Sequence, residues 1–241
     1  MTTILHEKTE EERQIRTEPF EQIKEEKQLL YDEIENDPGK DLIGERAFSY
    51  AWKHQGDYTL EDYYALPDDQ RSELIDGVIY NMSAPTITHQ IAVSQIVRQL
   101  ADYVDAKKGS CLVLPSPVDV QLDCDERTML QPDVVVVCDW NKVTDRCVYG
   151  APDLVMEILS PSTERKDQIV KTEKYRKAGV REYWMIDIER KRVVVYDFSC
   201  SHSPVIYGAD RGIPVQIFDG NCLIEFGEIL AKVKRLRENR S

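Results

Sequence analysis

The sequence predicts an α/β fold: one mixed central sheet flanked by helices. Two observations carry this expectation. Short apolar runs rich in β-branched residues, such as "PDVVVV" and "PDLVMEIL", recur through the second half. Amphipathic helical segments are interleaved with them, an order that suits helices packed on a mixed sheet.

The elements follow in chain order. Residues 1–55 stand apart: "EKTEEERQIRTEPFEQIKEEKQLLYDEIEND" is dense in Glu and Lys, with thinly spread apolar residues. This segment reads as a charged extension, helical or partly disordered, broken at "NDPGKD". The compact domain is expected over residues 56–241. "YTLEDYYALP" predicts a short helix with Thr59 as N-cap and Pro67 beyond its end. "ELIDGVIYNMS" predicts a hairpin turning at Asp76-Gly77. "THQIAVSQIVRQLADYVDAKKG" has helical periodicity at 91, 93, 96, 97, 100 and 104, ending at Gly109.

Strands are expected at "CLVLP", "VDVQL", "PDVVVV" and "PDLVMEIL". "SPSTERKDQIVKTEKYRKAG" predicts a second helix, capped by Ser162 or Thr163 and ended by Gly179. "REYWMID" and "KRVVVYDF" predict a further strand pair. "VQIF", "CLIEF" and the basic helix "EILAKVKRLRENR" close the chain.

Composition narrows the function classes. With 41% hydrophobic residues, three Trp and twelve Tyr, the chain is globular. No apolar run reaches the length of a membrane span, and the N-terminus is too polar for a signal peptide. The six cysteines form no C-x-x-C pair and read as free thiols in a reducing cytoplasm. The net charge of −13 argues against a body coated in phosphate-binding lysines. A local basic cleft, with divalent cations, could still receive nucleic acid.

Two carboxylates are the informative residues. Glu157 sits inside an apolar run, and Asp133 opens a run of four valines. An uncompensated buried charge is costly, so each needs a partner or a polar cleft. If their strands are neighbours, both acids reach one end of the sheet. Hard carboxylate oxygens suit Mg²⁺ or Mn²⁺, and a cation would neutralise Glu157. The bland alternatives are backbone donors for Asp133 and a core salt bridge for Glu157. Glu73, before the hairpin turn, is a third acid. The helix after Glu157 offers Lys171, which shares four-residue spacing with Asp167 and Tyr175. His89 is a candidate base or phosphate contact, or a structural histidine.

These pieces occur together in one family. "YTLEDYYALP", "ELIDGVIYNMSAPTITHQ", "QPDVVVV", "PDLVMEILSPST", "KDQIVKTEKYRKAGVREYWMID" and "VVVYDF" resemble, in order, the Uma-type restriction endonuclease family of the PD-(D/E)XK nuclease superfamily. The resemblance spans roughly residues 57–200. It implies a restriction-endonuclease-like core and a metal-dependent phosphodiesterase that cuts DNA, working as a homodimer. It implies that Asp133 is the PD acid, Glu157 the (D/E)XK acid and Glu73 the early acid, with Asp133, Glu157 and Glu73 as metal ligands. Leu159 stands where the superfamily pattern has lysine; Lys171, on the following helix, takes its place, supported by Asp167 and Tyr175. Bases of the helix over 163–179 would line the DNA cleft. The competing reading is a binding or scaffold protein that kept the fold and lost the chemistry.

Overall fold

The computed structural model describes residues 53–67, 69–160, 167–200 and 203–238. The extension expected over residues 1–55 therefore lies almost wholly outside the described residues, as do the two candidate caps Ser162 and Thr163. Helix α1 (Leu60–Tyr64) begins as expected: the Asp62 carboxylate accepts the Thr59 N–H at 2.7 Å. Strands β1 (Ser72–Ile75) and β2 (Val78–Asn81) form the antiparallel hairpin. Its turn needs positive φ at two successive residues, 53° at Asp76 and 83° at Gly77. Gly77 also has no room for a side chain, since a Cβ there would lie 2.4 Å from the Gly56 carbonyl oxygen.

Helix α2 (Ile87–Ala106) follows, with the Thr86 hydroxyl accepting from the His89 N–H. Its C-terminus departs from expectation. The left-handed residue is Lys108, with φ of 52°, and Gly109 comes one place later, donating to the Val104 carbonyl at 2.8 Å. Lys108 donates to Asp105, which completes the two-bond helix stop.

The remaining strands are β3 (Leu112–Pro115), β4 (Val120–Gln121), β5 (Val134–Val137), β6 (Val148–Tyr149), β7 (Leu154–Ile158), β8 (Glu182–Asp187), β9 (Arg192–Asp197), β10 (Val205–Gly208), β11 (Gly212–Val215) and β12 (Cys222–Glu225). Between β7 and β8 lie a π-helical turn (Asp167–Lys171) and helix α3 (Thr172–Ala178), stopped by Gly179 at φ 94°. Helix α4 (Phe226–Glu238) closes the fold. The expected strand at "VQIF" is shorter than predicted: Val215 ends β11, and Gln216–Phe218 turns as a 3-10 helix.

The central sheet has the order β10-β9-β8-β7-β5-β3. Only β7 and β8 run parallel, as a strand–helix–strand crossover through α3 requires. The other neighbours are antiparallel, so the sheet is mixed as predicted.

Alternation divides its two faces. Val134 and Val136 of β5, Leu154, Met156 and Ile158 of β7, and Trp184 and Ile186 of β8 join one apolar cluster. Ala92, Val93, Ile96 and Leu100 of α2 and Phe226, Ile229 and Val233 of α4 close it from above. Glu157 has the opposite parity and belongs to the other face, with Val155. Among the described residues no helix is long and apolar enough to cross a membrane.

One expectation is corrected. Cys111 and Cys138 are joined in a disulfide. The register that pairs Leu112 with Val137 brings 111 opposite 138, and linear spacing carries no trace of that pairing. Cys124, Cys147, Cys200 and Cys222 are free. The expectation of a reducing compartment leaned on six free thiols, and the disulfide withdraws that support. Burial pushes the Cys222 thiol up to about 11, with Glu182 adding to the rise.

Alkylation of the native protein without reductant, followed by peptide mass analysis, should label neither Cys111 nor Cys138. Cys222 should label only after unfolding, while exposed Cys124 and Cys200 label at once. Within the core, Ile96→Ala should cost about 2–5 kcal/mol in urea unfolding, because Ile96 is fully buried between α2 and the sheet.

Candidate active site

Glu157 lies one residue before the end of β7, and its compensation comes from α3 and the turn before it. Lys171 Nζ stands 2.8 Å from Glu157 Oε1 and 2.8 Å from Glu73 Oε1. The Tyr175 hydroxyl donates to the same Glu157 oxygen at 2.8 Å. All four side chains are buried. Glu73 Oε1 also accepts the Gln131 N–H at 3.1 Å, which ties the hairpin acid to the segment leading into β5.

Burial, and next the Glu157 carboxylate, hold the Tyr175 phenol well above its ordinary pKa, against the pull of Lys171. Tyr175 is therefore a neutral donor across the working pH range. Its ring packs on Tyr183, with centroids 4.9 Å apart.

Asp133 sits immediately before β5. Continuing the β5–β7 register by one place sets it opposite Glu157. Its Oδ2 accepts the Ile158 N–H at 2.8 Å and lies 3.0 Å from His89 Nε2. Among the described residues Oδ1 makes no hydrogen bond. His89 Nδ1 is buried and likewise has no partner there.

The structure thus brings Glu73, Glu157, Lys171 and Tyr175 into one cluster and sets Asp133 and His89 beside it at the same sheet end. Two sequence expectations change. Lys171 is buried in the core as the last residue of the π-helical turn, so its four-residue spacing from Asp167 is not α-helical. The Asp167 side chain lies outside what is described. Tyr175 reaches Glu157 rather than Lys171.

Of the bases expected to line a cleft over 163–179, Arg165 and Lys166 lie outside the described residues. Lys171 and Lys174 are buried, and Arg176 and Lys177 pair with Glu173 of their own helix.

Two contributors escaped the sequence reading. Gln131 donates through its side chain to the Tyr63 hydroxyl at 3.0 Å and to Asp119 at 2.9 Å, while its backbone holds Glu73. Lys174 bonds Asp76 at 2.7 Å and also Asp123. Burial works against its charge, but these carboxylates prevail and raise its pKa. One signal was available: Lys171 and Lys174 are three apart on the helical segment, as Glu73 and Asp76 are on the hairpin, so two cations grip two acids in parallel.

Glu182 of β8 supplies a contrast. It too is a fully buried strand carboxylate, yet it accepts from Trp184 Nε1 at 2.6 Å and from the Ile217 N–H at 2.9 Å. Burial raises its pKa despite those bonds. Its partners are neutral donors, whereas Glu157 faces an ammonium and, across it, a second acid.

Residues 60–208 match the family described as "Uma2: Putative restriction endonuclease". The chain belongs to the Uma2 family. A crystal structure described as "a putative nuclease belonging to DUF820", from Anabaena variabilis, superposes with a TM-score of 0.59 at 21% identity. The match covers 72% of this chain and 97% of that one, and it shows a shared restriction-endonuclease-like fold. An uncharacterized protein of Synechocystis sp. is 32% identical over 110 residues, 45% of this chain. The chain spans 56% of that relative's length. Glu73, His89, Asp133, Glu157, Lys171 and Tyr175 all fall inside the segment matched to Uma2, and α4 falls outside it.

Removing Lys171 leaves two buried acids facing each other. Lys171→Met should destabilise the fold by about 3–5 kcal/mol at neutral pH, read by urea unfolding.

Proposed function

We propose that this Uma2 protein is a Mg²⁺- or Mn²⁺-dependent endonuclease that hydrolyses phosphodiester bonds in DNA. The observation that carries the reading is the buried bridge Glu73–Lys171–Glu157 with Asp133 fixed beside it. Two acids share one ammonium there and a third carboxylate stands beside them, so the site retains a surplus of negative charge. A divalent cation suits that surplus and the hard oxygen donors.

Among the described residues no group of three or more acids, histidines or cysteines forms a ready cage. Mg²⁺ does not need one, since it keeps waters and takes one or two carboxylates with substrate phosphate. Held by Asp133 and Glu157, with Glu73 as the third acid and the Ile158 carbonyl as a further oxygen, the ion would polarise the phosphodiester and acidify an attacking water.

The chain's own groups have separate tasks. Lys171 supplies a fixed positive charge for the water or for the charge that develops on phosphorus oxygens. Tyr175 and the second contact of Lys171 on Glu73 fix the Glu157 carboxylate and the lysine at once. The Ile158 N–H and His89 hold one Asp133 oxygen and leave the other for the cation. A homodimer would set two such sites on the two strands of a duplex.

Supercoiled plasmid should be nicked by the wild type with Mg²⁺ or Mn²⁺ and left intact with EDTA. Glu157→Ala and Asp133→Asn should each lower the rate by about a hundredfold or more. Equal cleavage by wild type and Glu157→Ala would overturn the assignment. Metal-independent inertness of a well-folded wild type on DNA and RNA would favour the scaffold reading, in which Lys171 serves only as a counter-ion.

A further inference from the structure

An acidic body must still receive a polyanion, and the described bases of α3 are spent on protein carboxylates. Exposed positive charge gathers instead on α4. Its stretch "KVKRLR", residues 232–237, holds four bases and no acid. Val233 is buried in the core and pins the helix, while Lys232, Lys234, Arg235 and Arg237 are exposed.

The direction of α4 is fixed by its contacts with α2. The Glu225 N–H, just before α4, donates to Gln99 at 2.7 Å; Arg98 reaches Glu228 at 3.4 Å; and Lys232 bonds Gln95. Each step forward along α4 is a step back along α2, toward His89. At its far end Arg237 bonds Glu189, in the turn after β8. That turn lies where β7 carries Glu157, because Ile158 pairs with Ile186 in parallel register. The basic end of α4 and the acids of the site therefore share one end of the sheet.

We infer that the exposed face of α4 at Lys234 and Arg235 binds the phosphodiester backbone of a nucleic-acid duplex and holds it at the site end of the sheet. The inference rests on the phosphodiesterase reading above and adds to it the surface that positions the substrate.

Charge complementarity selects the occupant. With a net charge of −13, the body repels a polyanion except where bases collect. Lys232 and Arg237 already bond protein groups. Lys234 has only an exposed pair with Glu238 at 3.6 Å, and Arg235 has no ion pair among the described residues. Contacts of this kind set register and orientation and carry no base specificity.

The test measures binding of short fluorescein-labelled DNA and RNA duplexes by anisotropy, across about 50–200 mM salt. Glu157→Gln in Mg²⁺ serves as the non-cleaving background, and wild type in Ca²⁺ serves as a second. To each is added Lys234→Gln with Arg235→Gln; both side chains are exposed, so thermal melting should not move.

Loss of two phosphate contacts should flatten the slope of log affinity against log salt by about two. Over that salt range the unmodified face should then lose about tenfold more affinity than the neutralised one. Such a change on either duplex supports the inference, and the duplex that responds identifies the substrate. Unchanged affinity and slope, in backgrounds that do bind a duplex, would overturn it and leave the proposed nuclease standing. No duplex binding in either background would overturn both.

Discussion

The ammonium of Lys171 is the charge on which the buried half of this site depends. Two carboxylates from distant parts of the chain converge on it, one from the hairpin and one from the centre of the sheet. Its removal would strip two buried acids of the ammonium that both of them bond. The bridge therefore does structural and chemical work together: it fastens the hairpin to β7 and the helical turn before α3, and it gives two acids buried away from water a common cation. Lys174 repeats the device one helical turn along, gripping Asp76 and Asp123. The hairpin is thus held at two points, and Glu73 lies between the sheet and the helix with little freedom to shift.

The sequence made the sheet legible because its strands are apolar on both faces, and a charge inside such a run stands out. Asp133 and Glu157 were visible for that reason, and so were the hairpin and α2, whose turn chemistry and periodicity are local properties. What stayed hidden depends on register and on packing across the chain. For Glu157 the sequence leaves open a cation from solution or a core salt bridge, and only the packed fold shows that Lys171 supplies the bridge. The disulfide was hidden because it joins residues brought opposite by strand pairing. Glu182 shows the limit of the method from the other side. It is as buried as Glu73 and lies in a strand, yet only its neighbours reveal it as an acid held by Trp184 and a backbone N–H.

The distribution of charge divides labour between the two faces of the sheet. On the face of Glu157, lysines are drawn inward to neutralise acids and are lost to solvent. On the face covered by α2 and α4, the interface is apolar and the bases point out. Two of the groups of positive charge in this strongly acidic protein thus differ in kind, one buried and bound to carboxylates, the other exposed on a helix pinned by Val233, Ile229 and Phe226.

The bridge also bears on the order in which the molecule can be built. Glu73 precedes the sheet strands that carry Asp133 and Glu157, and Lys171 follows them. Closing the contact between Glu73 and Lys171 brings together residues far apart along the chain, which is slow relative to forming the hairpin or α2 alone. A growing or half-folded chain has acids and lysine but no assembled pocket. Whatever chemistry the pocket performs is therefore withheld until hairpin, sheet and helix have all docked, and a nascent chain on the ribosome is inert until Lys171 has emerged and found both of its acids.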